Sequence, residues 1–215
     1  MKKVILGTML FVLLPTAFAA GKVTVGGQMV KDTNTGVTTV VEHSKEYGLW
    51  QHVLEANYIY LYNEKNNTQA RNEGYFSFKE NYALDEQGYA IGSVRYDYDE
   101  FRDDSRRTIL GVGYGYKILR TDKMKVSNEF SVGKMNHRLG WEDVISNSLW
   151  VSYKVAKQVT FVNKFLVDWA DDRYIRNKTE LNYNFKEGFI VGVSNLYTKD
   201  PEIDNVTTFN LGTNF

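Results

Sequence analysis

The 215-residue chain has no cysteine and only two prolines, and its charges cancel, with 26 Lys and Arg against 26 Asp and Glu. Without cysteine there is no disulfide framework, thiolate nucleophile or thiolate metal site. Scarce proline suits long hydrogen-bonded ladders, because each proline would remove a donor from one. Charge balance argues against a general nucleic-acid binder, which needs a basic surface to displace phosphate counterions. Beyond the first twenty residues no apolar run approaches the ~20 residues of a membrane-spanning helix.

The first twenty residues, MKKVILGTMLFVLLPTAFAA, read as a secretory leader: two lysines, a short apolar run and a small-residue site at Ala17-Phe18-Ala19. Residues 1–19 are expected to leave as a signal peptide. The remaining single domain, 20–215, then carries 24 basic and 26 acidic residues. If it sits in a membrane it must do so as a closed barrel, since hydrocarbon offers no partner to free backbone groups.

What is abundant is tyrosine (15), phenylalanine (12) and glycine (17). In TILGVGYGYKI (108–118) the glycines Gly111, Gly113 and Gly115 alternate with Leu110, Val112, Tyr114, Tyr116 and Ile118. This G-x-G-x-G spacing misses the dinucleotide fingerprint, and no helix-forming run follows. A period of two is that of a strand, with glycines on one face and apolar side chains on the other. YIRNKTELNYNFK (174–186) repeats the pattern: Arg176, Lys178, Glu180, Asn182 and Asn184 fall opposite Ile175, Thr179, Leu181, Tyr183 and Phe185.

Turn residues divide the chain into about twelve strands: 22–31, 37–45, 50–63, 69–83, 88–100, 106–119, 123–135, 144–156, 158–169, 173–186, 188–198 and 205–215. Tight links at 84–88, 120–123, 156–158 and 186–188 contrast with longer charged ones at 63–69, 99–107, 134–147 and 198–205. The expected fold is all-β, a transmembrane antiparallel up-and-down β-barrel of the outer-membrane type. Tyr58, Tyr60, Tyr62, Tyr96 and Tyr98 are candidates for its outer aromatic girdle. The aromatic Phe215 at the end of an apolar-faced strand resembles the outer-membrane assembly signal, although Thr213 and Asn210 depart from its usual pattern. A soluble exported barrel, burying the apolar face instead, shows the same alternation.

From about Trp50 onward the sequence resembles the salt-induced outer-membrane protein family, a family of unknown function. The resemblance rests on RYDYDEFRDDSRRTILGVGYGYKILRTDKMKVSNEFSVG (95–133) and KEGFIVGVSNLYTKDPEIDNVTT (186–208). The first hairpin departs from it, reading KDTNTG where members tend to carry a Ser-Gly-Asn-Thr-Asp-like turn. The resemblance implies an outer-membrane barrel and brings no catalytic residue and no ligand.

The acidic run Asp97, Asp99, Glu100, Asp103 and Asp104 lacks the fifth-position oxygen and sixth-position glycine of a calcium loop, so no metal is expected. Arg102, Arg106 and Arg107 could touch lipid phosphates. His137, with Glu142, Asp143, Asp171 and Asp172, would form a hydrolase-like rim if its loops converge, and His52 lies on an apolar face with no serine nearby in sequence. His43 is uninformative. Fifteen charged residues share the polar face: Glu55, Glu73, Lys79, Arg95, Asp97, Arg107, Lys117, Lys125, Glu129, Lys154, Lys164, Asp168, Arg176, Lys178 and Glu180. All but Glu55, Glu73, Lys79 and Lys125 are the pore-lining candidates. Nine basic against six acidic, the fifteen together suggest a narrow polar pore favouring small anions, with a side-chain-filled interior as the alternative. The expectation is a non-enzymatic monomer without cofactors. Its partners would be outer-membrane lipid, lipopolysaccharide and the assembly machinery, with no nucleic acid.

Overall fold

A computed structural model describes residues 21–30, 34–63, 68–100, 106–138, 140–171, 173–185, 188–200 and 202–214. The leader, Arg102, Asp103, Asp104, Asp172 and Phe215 lie outside the described residues, as does part of the KDTNTG turn.

Alternating β-branched and aromatic residues, interrupted by Gly, Asp and Asn, fold as antiparallel strands in chain order. They are β1 (Gly21–Val30), β2 (Asn34–Tyr47), β3 (Trp50–Asn63), β4 (Thr68–Ala83), β5 (Gly88–Asp99), β6 (Arg106–Arg120), β7 (Met124–His137), β8 (Gly140–Lys154), β9 (Val159–Trp169), β10 (Arg173–Asn184), β11 (Phe189–Asp200) and β12 (Glu202–Asn214). Each pairs with its sequence neighbours, and β1 closes the ring on β12 from Lys22↔Asn214 to Gly27↔Phe209. Closure matters because an open edge would leave a row of unpaired donors and acceptors. The start of β1 and the end of β12 lie together at one end of the barrel, called the terminal end below.

The turns at that end follow from local chemistry. Gly48, at φ 60°, occupies the left-handed region in the two-residue link between Tyr47 and Trp50. Asp85 Oδ1 accepts hydrogen bonds from the N–H groups of Gln87 (2.8 Å) and Gly88 (2.6 Å). Those donors hold its carboxyl below the ordinary range. Thr121 Oγ1 likewise accepts from the N–H of Met124 at 2.9 Å.

Two links are tighter than their composition implies. Residues 134–137 and 140–147 are strand, paired up to His137↔Gly140, and β12 begins at Glu202, opposite Asp200. The charged residues there sit on strand faces, where Lys134 and Asp143 pair across the ladder at 2.7 Å while both stay exposed.

The apolar face points outward. Leu110, Val112, Tyr114, Tyr116 and Ile118 are all exposed, Val112 by 65%, whereas Arg95, Asp168, Lys178 and Glu180 are buried. Rings gather near both ends of the outer surface. Trp50 packs on Tyr82 (4.9 Å) and Tyr183 on Phe185 (6.0 Å) at the terminal end. Toward the other end, exposed Tyr58 donates to Asn72 Oδ1 at 2.9 Å, and Tyr96 is exposed as well.

The glycines of β6 face the interior. A Cβ on Gly115 would stand 2.2 Å from the ring of Tyr89, its cross-strand partner, so the missing side chain is what seats that ring. A Cβ on Gly133 would meet the Leu110 carbonyl at 2.1 Å, which reflects close approach of two strands. Gly115→Val should therefore lower stability by about 1–3 kcal/mol through overpacking. A reduced urea midpoint in lipid vesicles, partly recovered by adding Tyr89→Ala, is the expected result.

Candidate functional site in the barrel lumen

Strand alternation sends a charged set inward, and because the barrel is narrow these side chains reach across it. Lys164 on β9 places Nζ 2.5 Å from Glu42 Oε1 on β2 and 3.2 Å from Glu55 Oε2 on β3, six strands round the ring from β9. Lys178 on β10 pairs with Glu180 on its own strand at 2.6 Å and approaches Glu42 at 3.7 Å. Such pairing is what makes interior charge tolerable, since an unpaired ion out of water costs several kcal/mol.

A second set lies farther from the terminal end. Arg95 Nε donates to Asp97 Oδ2 at 3.1 Å, while its two terminal nitrogens grip Asp168 on β9. Ser146 donates to the same Asp168 at 2.6 Å. Two guanidinium groups approach the Tyr174 ring, that of Arg95 at 5.6 Å and that of Arg107 at 5.1 Å from its centre. Arg176 crosses the barrel to stand 3.9 Å over the ring of Tyr75 on β4. A third group joins Lys79 to Glu129 at 2.7 Å, with Tyr89 and Ser148 also donating to Glu129.

These bridges divide the lumen. A cavity of about 720 Å³ runs from the terminal end to the middle, bordered by Lys79, Glu129, Lys164 and Lys178. A small one of about 30 Å³, lined by Glu73, Asp97, Arg107 and Tyr174, lies beyond. Tyr75 and Arg176 line both, so their cation–π contact is the partition.

Of the residues picked out by alternation, Arg95, Asp97, Arg107, Glu129, Lys164, Asp168, Arg176, Lys178 and Glu180 meet in these groups. Lys117 and Lys125 line the large cavity near its mouth. Lys154 does not join them: it ends β8 exposed, beside the turn, where the wall gives way to solvent. Glu73 pairs with Arg71 at 2.7 Å. Glu42, Tyr75, Tyr89 and Tyr174 escaped the sequence reading. Their signal was present, since Tyr75 shares a face with Ser77 and Lys79, but tyrosine was read as a girdle residue.

The rim candidates fall elsewhere. Arg107 turns inward against Tyr174, which removes it from the lipid surface, whereas Arg106 is exposed. His137 is a strand residue, its Nε2 3.5 Å from Glu142 Oε1, and Glu142 accepts from the Asp171 N–H at 3.3 Å. His52, on the outer face, has Nδ1 2.5 Å from Glu80 Oε1 and lies between Tyr47 and Phe78. Among the described residues no three His, Asp or Glu side chains converge as metal ligands would.

Removing Lys164 would leave Glu42 and Glu55, direct cross-strand partners, facing each other. Lys164→Met should cost about 1–3 kcal/mol. Adding Glu42→Gln should recover part of that loss, giving a coupling above ~0.5 kcal/mol in a double-mutant cycle of urea unfolding.

Comparison with known proteins agrees with this architecture. The protein family DUF481, of unknown function, matches residues 23–215. No curated protein matches the chain. Among solved structures, the NanC porin superposes with a TM-score of 0.57 at 14% identity, covering 91% of this chain and 99% of NanC. The KdgM porin superposes at 0.53 and 10%, covering 90% and 98%. KdgM has also been solved in complex with disordered oligogalacturonate. At such identities the likeness is one of fold.

Proposed function

We propose, for a chain that belongs to the DUF481 family of proteins of unknown function, that it is a non-enzymatic outer-membrane barrel of twelve strands, forming a narrow, weakly anion-preferring pore for small solutes. The observation that carries this reading is the inverted distribution of polarity: exposed Phe189, Phe209 and Leu211 surround a lumen of buried Arg, Lys, Asp and Glu. A soluble barrel gains its stability from the opposite arrangement, whereas hydrocarbon around the rings and water near the charges satisfies both faces of this one. In this reading residues 1–19 leave as a signal peptide, Phe215 serves the assembly machinery and the terminal end faces the periplasm. The mature monomer is surrounded by outer-membrane lipid and lipopolysaccharide.

The charge inventory sets both narrowness and sign. Deep cations are engaged by carboxylates and rings, so they constrict the path more than they attract solutes. Lys117, Arg120 and Lys125 at the mouth supply the excess positive field. The porin fold shared with NanC and KdgM supports the reading, and the acidic polymer solved with KdgM has the charge sign expected here.

In planar bilayers the refolded protein should give small ohmic steps with anion preference, the preference falling when Lys117 and Lys125 are neutralised. Arg176→Ala, which opens the partition, should raise conductance severalfold. Silence from both the parent and this variant would establish a filled, structural barrel instead. Independently, Val112→Arg on the outward face should cost about 2–4 kcal/mol in a bilayer. Unchanged stability there, in a protein that fractionates without detergent, would return the soluble reading.

A further inference from the structure

The large cavity is more than a widening of the proposed path, because its charge and its hydrogen-bonding capacity are laid out in order from mouth to interior. Its deep cations Lys79, Lys164 and Lys178 are each paired with a carboxylate. Lys117 and Arg120 on β6 and Lys125 on β7 line the same cavity near the terminal end. None of the three lies within ion-pair distance of a carboxylate among the described residues, and the Lys117 ammonium stands 5.7 Å over the Tyr89 ring. Glu46 lines the cavity at that end as well, and Asp85 in the neighbouring turn feels the Lys117 charge, so positive charge is in excess at the mouth, three cations facing fewer carboxylates.

Farther in, the wall changes character. Ser77, Ser93 and Ser131, with the bare backbone of Gly111 and Gly133, make a shallow hydroxyl-bearing surface. Asn81, only 5% exposed, lines the cavity too. Its Nδ2 donates to Gln51 Oε1 at 3.1 Å, while its Oδ1 is buried with no hydrogen-bond partner. A small rotation of the side chain toward the cavity it lines would offer this unused acceptor to a hydroxyl there. The Tyr75, Tyr89 and Trp150 rings supply flat apolar surface. At about 720 Å³ the space falls within the range of small-molecule sites.

We infer that this cavity is a binding chamber for a small hydroxylated carboxylate of the sugar-acid class, its carboxylate held by Lys117, Arg120 and Lys125 and its hydroxyls by Asn81 and the serine wall. A bare inorganic anion would use the mouth alone, and a neutral sugar the wall alone; only a molecule carrying both features uses both. The chamber lies on the proposed pore, so its use in transport rests on that reading, but binding is measurable without transport.

The test is calorimetric titration of the full-length barrel in detergent with D-glucuronate, with D-glucose and acetate as probes of each half. Glucuronate should bind, with glucose and acetate at least about tenfold weaker. Lys117→Gln with Lys125→Gln should weaken glucuronate about tenfold, the loss expected for charge-assisted contacts. Asn81→Ala should weaken it severalfold while leaving acetate unchanged. Each variant should keep the parent's circular dichroism. No glucuronate binding, acetate binding as tightly as glucuronate, or indifference to the lysine pair in a folded variant would overturn the assignment. A barrel that conducts but does not bind removes the chamber alone, and one that binds but stays silent in bilayers removes the pore alone.

Discussion

Charge enclosed by a barrel must be neutralised within the reach of one side chain, and in this molecule that requirement shapes the lumen. Lysine and arginine are long enough to cross a narrow ring, so Lys164 finds Glu42 and Glu55 on the far wall, and Arg95 finds Asp168 four strands away. Each bridge ties together strands that share no backbone hydrogen bond. The ladder closes the ring, and the ion pairs brace it from within while occupying the space through which anything would pass.

Small residues provide the complementary half of the design. Gly111, Gly133, Ser93 and Ser131 lie on adjacent strands and keep one side of the interior shallow, so the volume not filled by charged side chains collects there. Gly115 is a different case, its bare Cα accommodating the Tyr89 ring. Tyrosine accordingly has two uses here. On the outer surface its ring joins the exposed apolar face, and inside, at Tyr75 and Tyr174, its electron-rich face receives a guanidinium.

Much of this was legible in the one-dimensional pattern. Alternation in 108–118 and 174–186 assigned Leu110, Val112 and Leu181 to one face and Arg176, Lys178 and Glu180 to the other, and the structure keeps those assignments. The links at 134–147 and 198–205 were less legible, because charge and turn-forming residues mark exposed strand ends as readily as loops. Lys154 stands apart from the charged groups for a related reason: a face has no interior once the strand reaches the barrel's end.

Periodicity is a local property, so the sequence by itself determined that the chain makes strands, where most of them turn and which residues share a face. Two questions needed the closed ring. One was which face lies inside, since the same alternation serves a soluble barrel and its inverse. The other was which charges meet, because Lys164 and Glu42 lie 122 residues apart. Only curvature and the stagger between strands bring them across the lumen, and neither is written in the spacing of neighbouring residues.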